Sequence, residues 1–189
     1  MRNGLTELLM MHGYSIRPER PDDFPAIFTF VKEAFATAKV KDGTEQHFVD
    51  RLRAGKNYVP DLALLAEEDA AVIGHIMLTH QEYIPDAGTS TPAPRPFLLL
   101  APLAVRLDKR RAGLGAALVQ EAFRRARAMG YKAAFLVGDP DYYGRFGFRA
   151  AESYAIRHSP GDIPACFVLA CELEPGALRG MSGEITLAH

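Results

Sequence analysis

A short basic segment with two glycines, residues 106–115, has the composition of an anion-binding loop. It follows the apolar run Phe97–Val105 and precedes a helical pattern, so it joins a buried strand to a helix N-terminus. Gly113 and Gly115 let backbone N–H groups approach a ligand closely, and the helix dipole favours negative charge at this end. Positive charge is added by three adjacent side chains, Lys109, Arg110 and Arg111. These residues predict a site for a pyrophosphate group.

Two common nucleotide-binding motifs do not fit this loop. A mononucleotide P-loop requires G-x-x-x-x-G-K-[ST], which occurs nowhere in the chain. A dinucleotide fingerprint requires G-x-G-x-x-G, but the residue three positions after Gly115 is Leu118. Both common nucleotide-binding folds are therefore disfavoured.

The pattern R-x-x-G-x-G, formed by Arg110, Gly113 and Gly115 after an apolar strand, resembles the acetyl-CoA loop of the GCN5-related N-acetyltransferases (GNAT). The resemblance covers residues 14–183 in the right order and spacing, and its ending is similar to that of the YhbS-like subgroup of predicted N-acetyltransferases. The matching segments are residues 16–19 and 22–24 for the first strand and helix start, 74–76 for the third strand, 102–105 for the fourth, and 138–148 and 174–178 for the subgroup's ending and tail.

This resemblance implies the fold class α/β (mixed α+β). The GNAT fold has a central mixed, mostly antiparallel sheet that is splayed between its fourth and fifth strands and flanked by helices. The pantetheine arm of acetyl-CoA would enter the gap, where Leu103, Ala104 and Val105 would offer backbone hydrogen bonds. The acetyl group would pass directly to a primary amine, with no covalent enzyme intermediate and no metal. The loop residues implied to hold the cofactor are Lys109, Arg110, Arg111, Ala112, Gly113, Leu114, Gly115 and Ala116.

The departing CoA thiolate needs a proton, because the pKa of a thiol is about 8.5. Tyr143 stands four residues before Gly147, in the register Y-x-x-x-G-F where the resembling family places its general acid. A phenol with a pKa of about 10 stays protonated at neutral pH and can donate. Tyr143 is therefore the predicted catalytic acid, and the neighbouring Tyr142 is the alternative.

A side-chain base for the attacking amine is harder to assign. Family members often carry a glutamate on the fourth strand, but residues 98–101 here are Leu-Leu-Leu-Ala. This bare strand keeps open a rival function, a non-catalytic module that binds and senses acyl-CoA. The candidate bases on neighbouring segments are Glu82, His80, Glu67, His158 and Glu33.

The acceptor amine is not identified by any recognition motif. Its pocket is expected to involve the proline-rich loop 85–96, the first two helices and the segment after Tyr154. Four carboxylates on segments bordering this side favour a cationic small amine, a lysine-like amine or an N-terminal amine. They are Asp86, Glu82, Glu33 and Glu45.

The elements that must position these residues follow from hydrophobic spacing. A strand at 14–17 precedes a helix from Phe24, a second helix begins near Thr44 and ends at Gly55, and strands at 62–67 and 71–83 form a hairpin. After the loop, a helix spans 112–129, a strand spans 133–137, and a short helical turn opens at Asp139. Strands around 153–157 and 166–172 complete one domain over 14–189, after an N-terminal helical extension at 1–13.

Composition excludes several classes of function. The chain has 189 residues, 22 Lys+Arg and 23 Asp+Glu, so its net charge of −1 disfavours a nucleic-acid partner. Its longest apolar runs fall far below the roughly 20 residues of a membrane helix. With two cysteines and no export signal, a cytoplasmic location is the expectation. Homodimers are common in such proteins, but no sequence patch demands one.

Overall fold

The computed structural model describes residues 13–37, 43–88, 97–159 and 161–186. Apart from Gly13, the predicted N-terminal extension lies outside the described residues, as does most of the proline-rich loop. None of the helices in the described part of the chain is long and apolar enough to cross a membrane. The single-domain boundary at residue 14 stays a prediction.

The core of the fold is a seven-stranded sheet with the order β1-β2-β3-β5-β6-β9-β7. All neighbours in it run antiparallel except β5 and β6, which are parallel. This confirms the predicted mixed, mostly antiparallel sheet. The strands are β1 (Ser15–Pro18), β2 (Ala63–Glu68), β3 (Ala71–Gln81), β4 (Tyr83–Pro85), β5 (Phe97–Val105), β6 (Ala133–Val137), β7 (Arg149–Ala150), β8 (Ile156–His158), β9 (Val168–Glu172) and β10 (Gly183–Ile185).

A second, three-stranded sheet has the order β4-β10-β8 and is not predicted by the sequence. It forms because the predicted strand 71–83 is interrupted at Glu82, so β4 leaves the main sheet and pairs with β10. The predicted strand around 153–157 is wrong in its first half. Ala151–Tyr154 is a 3₁₀ turn, and the strand is Ile156–His158.

Within the described residues, four α-helices flank the main sheet: α1 (Phe24–Phe35), α2 (Glu45–Ala54), α3 (Leu114–Ala128) and the one-turn α4 (Pro140–Tyr143). Leu114 and Leu118 of α3 pack in one apolar cluster with alternate residues of β2, β3 and β5. On the opposite face, α1 and α2 cover β2 and β3, while the small sheet covers β6 and β9. Ala101 packs against both of these coverings, so it marks the boundary between them.

Strands β5 and β6 diverge almost as soon as they meet. They pair only at Leu98 with Ala134 and at Leu99 with Phe135, whereas β5 continues to Val105. On its other side, β5 stays paired with β3 along its length, with a register shift between Ile76 and Leu78. The cis peptide Ala101-Pro102 lies opposite this shift. Because a proline has no backbone N–H to donate to the ladder, the sequence predicts a bulge at this position. The splayed gap that the resemblance implies is therefore present.

Candidate active site

The gap is edged by backbone groups of β5 that the sheet leaves unpaired. The N–H of Arg106 donates to the carbonyl of Ile73 at 2.9 Å, and hydrogen-bonded pairs alternate along an antiparallel ladder. Ala104 therefore directs its backbone groups to His75, its partner on β3. Leu103 and Val105 direct theirs away from β3, toward the diverging β6. Of the three residues implied for pantetheine, Leu103 and Val105 have the suitable backbone orientation.

The loop after β5 presents a run of uncommitted N–H groups. Within the described chain, residues 111–116 make no backbone hydrogen bond as donors, and the first backbone bond of the following helix is from Ala117 to Gly113. Arg111 has φ +63° and Gly113 has φ +86°, with Ala112 between them in the ordinary region. Alternating backbone handedness makes successive N–H groups converge into a concavity that binds anions. At the positive end of α3, this concavity suits a pyrophosphate.

The three cations of the loop differ in their partners. Lys109 forms an ion pair with Glu68 at 2.6 Å. Arg110 donates to the carbonyl of Ala34 at 2.7 Å, to Thr37 Oγ1 at 3.1 Å and to the carbonyl of Val105 at 3.2 Å.

Arg110 therefore ties the end of β5 to the C-terminus of α1, where the helix dipole favours a cation. Arg111 is exposed, and within the described chain it has neither a hydrogen bond nor an ion pair. Of the three predicted cations, Arg111 thus has the exposed side chain that is unpaired within the described chain, while Arg110 shapes the loop.

The two tyrosines of α4 occupy different environments. Tyr143 packs its ring on Gly138, at the end of β6, and against Phe146 and Phe148. Gly138 is required there, because a Cβ would lie 2.5 Å from Tyr143 Cε2. Burial raises the pKa of Tyr143 well above its ordinary value of 10, and its neighbour Tyr142 raises it further. Tyr143 is therefore a protonated phenol at any physiological pH.

The hydroxyl of Tyr142 lies instead over the start of α3. A Cβ built on Gly115 would be 2.8 Å from Tyr142 Oη, so this glycine makes room for the hydroxyl. The guanidinium of Arg145 stacks on the Tyr142 ring with its Cζ 4.0 Å from the ring centroid. The Tyr142 hydroxyl thus lies at the predicted pyrophosphate loop, and Tyr143 stays the predicted acid.

Four of the predicted candidate bases are engaged elsewhere. His80 meets the hydroxyl of Tyr131 at 3.2 Å beyond the C-terminus of α3, at the opposite end of that helix from the loop. Glu82 pairs with Lys56 at 2.9 Å, and Glu67 pairs with Arg17 at 2.7 Å. The His158 side chain lies in the small sheet with Nδ1 3.5 Å from Asp162. The fifth candidate, Glu33, is exposed on α1.

Two of the four carboxylates predicted to favour a cationic acceptor are also neutralised. Asp86 accepts hydrogen bonds from Arg157 at 2.8 Å and from Ser182 at 2.5 Å, and these hold its pKa at about 2. Glu82 is paired with Lys56. Neither offers an unpaired negative charge to an incoming ammonium group.

A buried charged cluster on the α1/α2 face of the sheet has no counterpart among the predicted site residues. The Glu19 carboxylate, just after β1, accepts from Arg53 Nε at 2.8 Å and from the Tyr58 hydroxyl at 2.8 Å. His75 Nε2 lies 2.9 Å from Glu19 Oε2, and both side chains are 0% exposed. Burial alone would raise the pKa of Glu19, but the hydrogen bonds and charges of His75 and Arg53 outweigh it and hold that pKa at about 2.

Sequence inspection misses this cluster because its members lie on four separate segments. Glu19 and His75 are 56 positions apart and share no motif spacing. The available signal was a histidine inside an apolar strand, which requires a partner when buried. Elsewhere, the described residues hold no group of three or more His, Cys, Asp or Glu side chains that could bind a metal ion.

Comparison with known proteins agrees with this architecture. Residues 15–151 match the family model described as an acetyltransferase (GNAT) domain. The chain is 31% identical over 170 residues to the uncharacterized N-acetyltransferase YhbS of Escherichia coli, covering 89% of this chain and 92% of that protein. It is 26% identical over 178 residues to the uncharacterized N-acetyltransferase YjhQ of the same species, covering 91% and 92%.

Two solved structures extend this similarity to the fold and the cofactor. The crystal structure of E. coli YhbS in complex with CoA has a TM-score of 0.78 at 28% identity, covering 93% of this chain and 89% of that one. A GNAT family acetyltransferase from Brucella melitensis in complex with acetyl-CoA has a TM-score of 0.70 at 27% identity, covering 94% and 97%. The splayed strands, the N–H loop and these matches together show that the chain belongs to the GNAT family of N-acetyltransferases, which use acetyl-CoA.

Proposed function

We propose that this enzyme moves an acetyl group from acetyl-CoA directly to a primary amine of a small molecule or protein. The observation that best supports the proposal is that two sets of unpaired backbone groups follow each other along the chain. The open edge of β5 at Leu103 and Val105 leads directly into the N–H run at residues 111–116. A linear cofactor with a polar amide arm and a pyrophosphate can satisfy both sets at once.

Cofactor binding depends on backbone groups of β5 and of the loop after it, and on the side chains that hold this backbone in place. Val105 has its carbonyl occupied by Arg110, so its N–H and both backbone groups of Leu103 are available for the amides of the arm. The loop N–H groups donate to the oxygens of the pyrophosphate, and Arg111 adds an exposed positive charge. Arg110 and Lys109 hold the loop against α1 and β2.

The acceptor is expected to approach from the face opposite α3. On that face the two coverings meet at Ala101, next to the point where β5 and β6 diverge. Bound acetyl-CoA supplies an activated thioester carbonyl. The N–H groups of β5 beside the bulge are suited to stabilise negative charge on that oxygen, and Tyr143 is suited to protonate the departing sulfur.

We propose that the acceptor is a primary amine and that binding does not require a further positive charge on it. This follows from the neutralisation of Asp86 and Glu82, which weakens the preference for cationic acceptors. A cytoplasmic location and homodimerisation stay predictions from the sequence.

Thiol release from acetyl-CoA, measured with a panel of cationic, neutral and anionic primary amines, tests the proposal. We expect amine-dependent release, with the acetylated amine detected by mass spectrometry. The rival function, a non-catalytic acyl-CoA-binding module, is favoured by the absence of an acid on β5. Tight CoA binding without release for any amine would support that rival and overturn the proposal.

A further inference from the structure

The buried cluster around His75 contains one polar atom that the fold leaves unsatisfied. Nε2 of His75 is bonded to Glu19, but Nδ1 is buried and has no hydrogen-bond partner within the described chain. Buried side-chain polar atoms are paired in the large majority of cases, and exceptions often have a functional cause. This orphan nitrogen therefore needs a chemical explanation.

The hydrogen bond to Glu19 determines which ring nitrogen of His75 carries the hydrogen. Glu19 is an ionised acceptor, so Nε2 of His75 must carry the hydrogen that it donates. Arg53 also pairs with Glu19, so the carboxylate has a charged partner besides His75. In a neutral imidazole with its hydrogen on Nε2, Nδ1 bears a free lone pair. This tautomer is assigned from the hydrogen-bond network, and it is the proton-accepting form.

The register places His75 one strand away from the gap, beside β5. Its partner on β5 is Ala104, and directly opposed residues share one face of a sheet. Ala104 packs in the α1/α2 cluster, as does Ala101 at the boundary between the two coverings. His75 is therefore on the acceptor face, beside the segment of β5 that diverges from β6.

The surroundings of His75 contain few other titratable groups. Within the described chain, Glu19 contacts it directly, Arg53 and Tyr58 contact Glu19, and Asp50 contacts Arg53 at 2.7 Å. Leu65 on β2 and Ala104 on β5 are its strand neighbours, and α1 contributes apolar side chains to the same face. Within the described chain, the Glu19 carboxylate is thus the ionisable group bonded to His75.

We propose that His75 is the proton acceptor for the attacking amine, reached through bridging water, and that Glu19 is its positioning residue. This rests on the proposed function. The substrate ammonium R–NH₃⁺ gives one proton through water to His75 Nδ1, and the neutral amine forms the new C–N bond. The C–S bond then breaks as Tyr143 protonates the thiolate, and the second amine proton, passed through water, restores the Tyr143 hydroxyl. The proton on His75 leaves to solvent, so the net reaction releases one H⁺.

The test uses an amine that shows activity in the thiol-release panel, together with the variant His75→Gln. The Gln side-chain nitrogen can still donate to Glu19, but the variant has no basic nitrogen. In the parent enzyme, kcat/KM for the amine should rise with pH and reach a plateau once His75 is unprotonated. In His75→Gln, kcat should fall about 100-fold, within the usual range for general base catalysis. The rate should then keep rising toward the amine's own pKa, because bulk solvent must remove the proton.

The control variant is His80→Gln, on the same strand but bonded to Tyr131 beyond the far end of α3. It should keep the parent pH profile, and in both variants the Kd for acetyl-CoA should stay within twofold. An unchanged pH profile in His75→Gln would overturn the inference while leaving the proposed function intact. Absence of release with every amine in the parent enzyme would overturn both.

A second measurement keeps the inference testable if His75→Gln does not fold. Long-range ¹H–¹⁵N NMR spectra of the imidazoles in the intact enzyme report which ring nitrogen carries the proton. We expect His75 with its hydrogen on Nε2 and an unprotonated Nδ1 at pH 7. A proton on Nδ1 at that pH would contradict the assignment.

Discussion

Gly113 and Gly130 flank opposite ends of α3 with the same backbone conformation. Both have φ +86°, and a Cβ added to either would meet nothing within 4 Å. The two positions therefore impose the same conformational strain on a side chain, but only Gly113 lies in the N–H loop. They form a matched pair for testing where the cofactor binds.

Gly113→Val should weaken CoA binding by at least tenfold. A valine at positive φ is a conformational outlier, so the loop must rearrange and its N–H groups no longer converge. Gly130→Val should cost comparable stability but leave CoA affinity unchanged. Isothermal titration calorimetry of both variants, alongside thermal unfolding, separates the two effects. Equal CoA affinity in Gly113→Val and the parent would show that the loop is not the pyrophosphate site.

Tyr143→Phe should lower turnover by about 100-fold, near the lower end for general acid catalysis, while acetyl-CoA binding persists. The ring is retained, so its packing on Gly138 is preserved and only the proton donor is lost. Because burial raises the pKa of Tyr143, the parent should show no loss of activity from its deprotonation up to pH 10. Tyr142→Phe is the control and should lose much less activity. Equal rates for Tyr143→Phe and the parent, with chemistry rate-limiting, would assign Tyr143 to packing.

Arg110→Lys and Arg111→Met should weaken CoA binding for different reasons. Lysine keeps the charge of Arg110 but cannot reproduce the forked contacts with Ala34, Thr37 and Val105, so both CoA affinity and thermal stability should fall. Arg111→Met removes an exposed charge, so affinity should fall without a loss of stability, and its dependence on salt should become shallower. Affinity measured at two ionic strengths checks both. Full CoA affinity in Arg110→Lys would show that Arg110 acts through charge alone.

Glu19→Gln should destabilise the protein at neutral pH by up to about 3–5 kcal/mol, because the buried Arg53 then keeps only the more exposed Asp50 as a counter-charge. The pKa of Glu19 is about 2 in the folded protein, below its ordinary value of 4.5. Its stabilising contribution is therefore complete above pH 4.5 and is lost as the pH falls from 4.5 to 2. Urea unfolding across this range should show the parent and the variant converging at low pH. The control is Asp86→Asn, which removes an exposed ion pair and should lower the stability less at neutral pH. A stability difference between Glu19→Gln and the parent that stays constant at all pH values would contradict the linkage.

The strand, loop and helix around residues 97–128 are predictable from sequence because their signals are local. The apolar run of β5, the proline at its bulge and the glycines at the start of α3 each act within a few residues of themselves. The helix predicted over 112–129 is found over Leu114–Ala128. Local signals also identify the tyrosine register before Gly147.

Features formed by long-range pairing are not predictable in this way. The strands of the small sheet are three residues each, and β10 pairs with segments about 30 and 100 positions away. The role of Arg110 depends on the end of α1, more than 70 positions earlier. The charge of Arg110 is visible in the sequence, but its hydrogen-bond acceptors are set by the tertiary fold.

The open edge of β5 has a consequence for how such a site diverges in evolution. The proposed recognition at Leu103 and Val105 uses atoms that every residue except proline carries in the same form. Most side-chain replacements along this edge therefore leave the hydrogen-bonding pattern intact, provided that the strand keeps its register and its separation from β6. Cofactor binding can thus be inherited while most of the surrounding sequence drifts, and the acceptor side is free to change its specificity independently.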